Sequence, residues 1–257
     1  KDKTETVKSP GALVISAYAT CPDITKVITP DIKQPGKSRL LFIDLGNNRN
    51  RLGGTSLAQV YNQIGNESPD VDDPKLLKKA FNAVQELISK DLILSGHDRS
   101  DGGLITTILE MAFAGNCGVE VKMQDARLGR VAEETGCRMQ DEILALLFSE
   151  ELGLALEYLP EKEEEIISLL KNSDVPYQVI GKTTVEKRIK INLITHHASR
   201  ITVLDEDMRI LRGIWEETSY QLEKLQVNPD CADEEKKVIF DRKGYNFNLS
   251  FTPEQTS

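Results

Sequence analysis

The chain has 257 residues, with 32 Lys or Arg against 41 Asp or Glu, a formal charge of −9 and a sequence pI of about 5.0. With 39% hydrophobic and 28% charged residues it is too apolar for a disordered chain and rich enough in apolar side chains for a core. No run approaches the ~20 apolar residues of a membrane span, and the start, Lys1-Asp2-Lys3-Thr4-Glu5-Thr6, has no apolar signal-peptide core, so the expectation is a cytoplasmic globular protein.

In chain order, Gly11 to Tyr18 and Ser38 to Leu45 are short apolar runs bounded by Pro, Gly or Asn, the pattern of buried strands. A polar loop from Gly46 to Thr55 follows, then a short helix from Ser56 to about Gln63. Pro74 suits a helix first turn, and Leu76, Leu77, Ala80, Phe81, Val84, Leu87 and Ile88 recur at helical spacing to about Lys90. Leu92 to Gly96 reads as a strand, His97 to Gly103 as a loop, Leu104 to Ala114 as a helix, and Gly118 to Lys122 as a strand. Ala126 to Glu151 is mainly helical in pattern and Leu152 to Leu159 returns to strand. Pro160 opens a helix, Glu161 to Lys171, with acids in its first turn as the helix dipole prefers. Strands at Val175 to Ile180, Arg188 to Ile194 and Arg200 to Leu204 precede a helix from about Asp207 to Leu225. The polar tail from Asn228 to Ser257 reads as a linker.

This interleaving predicts an α+β (α/β) class: one layered domain with a mixed sheet and helices packed on one face. The missing initiating Met points to processing or to a piece of a longer chain.

Residues 1 to 55 hold nine basic and five acidic side chains, a surplus of four positive charges against the acidic remainder. An anion is therefore more readily met by the first part, and nucleic acid is disfavoured because phosphate contacts dominate such binding. Cys21, Cys117, Cys137 and Cys231 stand far apart without a CxxC pair, which predicts free structural thiols and no zinc cage. His196-His197 lies in a polar stretch between two strands, with no metal role expected.

Two segments could carry chemistry. In His97-Asp98-Arg99-Ser100-Asp101-Gly102-Gly103, two glycines stand where the chain turns into a helix, and exposed amides at a helix start can meet an anion. Asp98 and Asp101 would repel a bare phosphate, so a sugar phosphate suits the loop better than an isolated anion. The same pattern is met by Ser100 or Asp101 as a simple N-cap with the glycines forming the turn. In Asn47 to Ser56, Gly53-Gly54-Thr55 again precedes a helix, with Arg49 and Arg51 close by, and arginine's planar fork matches phosphate. A solvated surface loop has the same pattern. Neither segment has Walker or dinucleotide glycine spacing. His97 is a candidate general base if it faces a ligand, and a loop-orienting hydrogen bonder otherwise.

Ser95 to Leu104 continuing through Leu109 to Gly118, Leu52 to Tyr61, and Gly213-Ile214-Trp215-Glu216-Glu217-Thr218-Ser219-Tyr220-Gln221-Leu222-Glu223 together resemble the phosphoribosylformylglycinamidine synthases, in matching order and spacing over about residues 9 to 227. The Ala126 to Asp141 segment is less similar. The resemblance implies an AIR synthetase-related C-terminal-type domain, the second of two copies, with residues 228–257 leading towards a glutaminase domain. It implies an ATP-dependent amidoligase that turns formylglycinamide ribonucleotide, ATP and glutamine into the amidine, ADP, phosphate and glutamate. The amide oxygen would be phosphorylated and ammonia would displace the phosphate. ATP and Mg2+ belong to the whole enzyme, whose other synthetase and glutaminase domains would be the partners. By the likeness, Gly53, Gly54, Thr55, Ser100, Asp101, Gly102 and Gly103 become candidate phosphate or substrate contacts, with Arg49, Arg51 and Asp98 secondary. A scaffold half that packs around a structural nucleotide is the alternative. Trp215-Glu216-Glu217-Thr218 argues against selenophosphate synthetase or thiamine monophosphate kinase.

Overall fold

Leu40, Leu41, Phe42 and Ile43 are all buried, which a strand allows only when apolar material covers both faces of its sheet. They form β1 (Arg39–Asp44). The computed structural model describes residues 14–21, 23–47, 49–124, 139–195, 199–240 and 250–251. Within these, β1 is followed by α1 (Ser56–Val60), α2 (Pro74–Ser89), β2 (Ser95–Asp98), α3 (Gly103–Gly115), β3 (Gly118–Gln124), α4 (Met139–Phe148) and β4 (Gly153–Tyr158). Then come α5 (Glu163–Asn172), β5 (Gln178–Thr184), β6 (Arg188–Ile194), β7 (Arg200–Asp207), α6 (Met208–Gln226) and α7 (Pro229–Val238).

The strands form one mixed sheet of seven, in the order β2-β4-β1-β5-β3-β6-β7. Only β3 and β6 run parallel, Val119 opposite Ile189, and the other pairings are antiparallel. The mixed sheet agrees with the sequence expectation. The helices, however, cover both faces rather than one. Leu40 and Phe42 join Leu104, Ile108 and Met111 of α3 and Leu146 and Leu147 of α4 in one core. Leu41 and Ile43 join Ala80, Ala83 and Leu87 of α2 and Ile166 and Leu170 of α5 in a second.

Other boundaries moved for local reasons. Pairing of β2 starts at Ser95, opposite Glu157, because Leu92 and Ile93 pack into the second core just after α2 ends. Val175 likewise fills that core, and Pro176, lacking an N–H, delays β5 to Gln178. The expected strand at Gly11 to Tyr18 is not formed over its described part: Val14, Ile15 and Tyr18 are exposed and without regular structure. The tail is not all linker. Asn228 caps α7 through the amide of Asp230, Pro229 occupies its first turn, and the helix folds back on α6, where the Tyr220 hydroxyl donates to Asp233 at 2.5 Å. The helical expectation for 126–138, Cys137 and His196-His197 lie outside the described residues. Cys21, Cys117 and Cys231 are free, and burial pushes the Cys117 thiol up to about 12. Among the described residues no helix is long and apolar enough to cross a membrane.

Helix α6 starts at a charged cap. Asp207 accepts from the amide of Arg209 at 2.8 Å and from its Nε at 2.9 Å. The Arg209 hydrogen bond pulls the Asp207 carboxyl down to about 2, below the ~3.9 of an unfolded aspartate. A depressed folded pKa stabilises above the unfolded value, and that contribution is lost as the pH falls from about 4 towards 2. Asp207→Asn keeps a capping oxygen without the titration. Its melting temperature is expected to fall less steeply with acid than that of the parent across this window, and parallel curves would contradict the assignment.

Candidate functional site

The C-terminal ends of β1 and β2 and the N-terminal end of β4 meet at one edge of the sheet, since β4 lies antiparallel between the other two. Three connections gather there: residues 45–55 after β1, 99–102 after β2, and 149–152 before β4. Both glycine segments singled out in the sequence are thereby brought together.

The first connection is tightly pinned. Gly53 N–H donates to the carbonyl of Glu67 and Gly54 N–H to that of Ile64, each at 2.7 Å. Thr55, fully buried, caps α1 by accepting from the amide of Ala58, and its hydroxyl donates to the Leu52 carbonyl at 2.7 Å. Gly54 is exposed with φ +74°, and a Cβ added there would meet nothing within 4 Å.

The second connection turns into α3 through Gly102 and Gly103, with φ of +83° and +74°. Gly102 is the N-cap without a side-chain cap, so the expected capping by Ser100 or Asp101 is absent; the Ser100 carbonyl instead accepts from Gly103 N–H at 3.0 Å. Asp98 and Asp101 are exposed and Ser100 is half-buried, leaving these side chains at the rim.

The third connection, which sequence reasoning missed, organises the other two. Glu151 is fully buried and receives a bidentate bond from Arg51, Nε at 2.6 Å and Nη2 at 2.8 Å. Arg51 also donates to Asp72 at 2.9 Å, so its guanidinium is fully engaged by protein carboxylates. Its hydrogen bond to Glu151 raises its pKa further above the ordinary arginine value. Arg49, more than half exposed, reaches Asp72 only at 3.5 Å and is the freer cation. Glu150 Oε1 accepts from the amides of Ser56 and Gly102, each at 2.8 Å. Arg99 is buried across the same corner: its Nη2 donates to Asp44 and to the Leu152 carbonyl, each at 3.0 Å, its Nε donates to the Glu151 carbonyl, and it lies over the Phe42 ring. Burial lowers the Arg99 pKa and the Asp44 charge opposes that shift. The signal available in the sequence was an acidic pair at the C-terminal end of a helix, where the dipole disfavours negative charge.

His97 is turned away from the glycine loops. Its Nδ1 lies 2.7 Å from the Asp98 carbonyl and its Nε2 3.2 Å from Glu110, two turns into α3. It lines a groove of ≈ 320 Å³ with Phe113 and Trp215, whose rings are 5.8 Å apart. That position suits an orienting side chain and does not face the glycine amides. Among the described residues no group of three His, Cys, Asp or Glu could hold a metal ion.

Fold and loops together define an α+β domain with two glycine-bracketed connections joined at one sheet edge. Residues 40–194 match the family described as AIR synthase related protein, C-terminal domain, and the chain belongs to that family. It is 44% identical over 254 residues to the probable phosphoribosylformylglycinamidine synthase, chloroplastic/mitochondrial, of Arabidopsis thaliana, covering 98% of this chain and 17% of that protein. With the Homo sapiens phosphoribosylformylglycinamidine synthase it shares 43% over 252 residues, 96% of this chain and 17% of the relative. The chain thus spans about a sixth of the length of these relatives. Among solved structures, Thermotoga maritima PurL complexed with FGAR superposes with a TM-score of 0.54 at 18% identity, over 73% of this chain and 30% of that one. The same protein complexed with ATP gives 0.50 at 16% identity, over 73% and 27%. These two likenesses show the fold.

Proposed function

We propose that the chain is the second C-terminal-type domain, residues 9–227, of a phosphoribosylformylglycinamidine synthase, and that its two glycine loops hold the phosphate of the sugar-phosphate substrate. The observation that carries this is the convergence of Gly53-Gly54-Thr55 and Ser100-Asp101-Gly102-Gly103 on one corner through Glu150. The relatives are named for the synthesis of phosphoribosylformylglycinamidine; on this reading formylglycinamide ribonucleotide, ATP and glutamine give the amidine, ADP, phosphate and glutamate.

The part taken by this chain is positioning. Gly54, open on its Cβ side, admits a ligand close to the backbone. The Ser100 hydroxyl and the Arg49 guanidinium lie at the rim for phosphate oxygens, and Asp98 and Asp101 suit sugar hydroxyls. Arg51, engaged by Glu151 and Asp72, holds the loop rather than the ligand. In such a site fixed donors lower the barrier by holding the substrate in reacting geometry. The described residues do not make a Mg2+ cage; ATP and the remaining synthetase and glutaminase domains would complete the site. We place the enzyme in the cytoplasm, which a fluorescently tagged chain would check.

A second reading, a scaffold half around a structural nucleotide, is favoured by one fact: the Ser56 and Gly102 amides are already occupied by Glu150. Gly54→Leu in the complete synthetase separates the two. The left-handed backbone costs about 1–2 kcal/mol but no contact is lost, so the enzyme folds. On our reading the KM for formylglycinamide ribonucleotide rises about tenfold or more, some 1.4 kcal/mol of binding. An unchanged KM with a loss of tightly held nucleotide supports the scaffold instead.

A further inference from the structure

One side chain bridges the two glycine loops. Glu150 Oε1 is 2.8 Å from the nitrogen of Ser56 and 2.8 Å from that of Gly102, so the two amides, far apart in sequence, lie no further apart than twice that distance. The carboxylate is held from behind. Glu151 is clamped by Arg51, and the Ser149 hydroxyl donates to the Arg51 carbonyl at 3.1 Å, which ties residues 149–151 to the first loop before Glu150 reaches the second. Nothing in α4 itself accounts for an acid here, because the C-terminal end of a helix disfavours one. The exposed Gly54 and the rim residues Ser100 and Asp101 remain outside the Glu150 contact.

We infer that Glu150 is a positioning residue: without touching the ligand, it fixes the spacing of the two loops so that one sugar phosphate meets Gly54 and Ser100 together. This rests on the phosphate-site reading above. A shared acceptor suits the task because neither amide can move outward without breaking a charge-assisted bond. Glutamine at this position retains an oxygen of the same reach, whereas aspartate retains the charge but is one methylene short.

The test is a titration of the isotopically labelled 257-residue chain with ribose 5-phosphate, followed at the backbone amides, with hydrogen exchange measured at Ser56 and Gly102. In the parent, the Gly54 and Ser100 signals are expected to follow one common binding curve. In Glu150→Ala the two amides exchange faster and affinity falls about tenfold or more, the scale on which small misplacements act. Glu150→Gln recovers most of both effects, and Glu150→Asp, the variant to read if the alanine chain fails to fold, behaves like the alanine. Faster exchange with parental affinity in Glu150→Ala overturns the inference, as does a glutamine variant no better than alanine or an aspartate variant equal to the parent. A parent chain with no shift at either loop refutes the phosphate-site reading itself, and the inference falls with it.

Discussion

Gly103→Ala is expected to destabilise the chain by about 4 kcal/mol, adding the strain of a left-handed alanine to the cost of forcing a methyl into packed backbone. The φ at Gly103 is +74°, and a Cβ there would lie 2.6 Å from the carbonyl carbon of Phe148 and 2.7 Å from the carbonyl oxygen of Leu147. Those atoms are main chain at the end of α4, so no side chain can rotate aside. Relief would require α3 to separate from α4, and Leu104, Ile108, Leu146 and Leu147 share one core. Because a domain is stable by only about 5–15 kcal/mol, this one methyl removes a large fraction of the total. Urea denaturation of Gly103→Ala and Gly54→Ala side by side measures it. Gly54 has the same φ and open space, so its alanine variant shows the backbone strain alone, about 1–2 kcal/mol. Equal midpoints for the two variants would contradict the packing argument. The comparison also bears on assays of function, because loss of activity at Gly102 or Gly103 reports folding as readily as binding.

Glu157→Gln is expected to cost about 3 kcal/mol, because buried groups left without a partner forfeit their full desolvation cost. Glu157 is fully buried on β4, at the end of the sheet opposite the glycine loops. Its Oε1 accepts from the Gln34 amide at 2.9 Å and the Ser38 hydroxyl at 2.6 Å, and its Oε2 from the Lys33 amide and the Ser95 hydroxyl, each at 2.8 Å. The carboxylate thus fastens the turn at residues 33–38 to the start of β1 and β2. Glutamine has the same shape but presents an NH2 to two of the four donors, and only the hydroxyl among those two can rotate to accept. Denaturation midpoints, with hydrogen exchange at the Lys33 and Gln34 amides, give the result. A variant within about 1 kcal/mol of the parent, the typical value of one ordinary hydrogen bond, would show that the cluster is not cooperative.

The elements legible in the sequence were those whose local pattern and tertiary role coincide. Pro74 with its helical apolar repeat gave α2 to within a residue of its end, and Gly118 to Lys122, Arg188 to Ile194 and Asp207 to Leu225 marked real elements. Misplaced starts arose where apolar residues serve packing rather than pairing, as at Leu92-Ile93 and Val175. The exposed run at Val14 to Tyr18 has strand composition without a strand partner among the described residues, and composition alone cannot supply one. At the candidate site, both glycine turns were visible because positive φ and close approach restrict the choice of residue. Their junction was hidden because it depends on long-range contacts. Glu150 and Glu151 read as the end of a helix, and Arg51 reads as a phosphate ligand until Glu151 is seen to hold it. His97 sat beside the loop in sequence, but its ring reaches Glu110, two turns into α3, rather than the glycine amides.

The corner between Gly54 and Ser100 is the proposed sugar-phosphate site. Crystals of the 257-residue chain soaked with ribose 5-phosphate test it most directly. The phosphate is expected at that corner, against the open side of Gly54 and within hydrogen-bond distance of the Ser100 hydroxyl or the Arg49 guanidinium. A corner left without the sugar phosphate, with the ligand instead in the groove of ≈ 500 Å³ between α6 and α7, would contradict it.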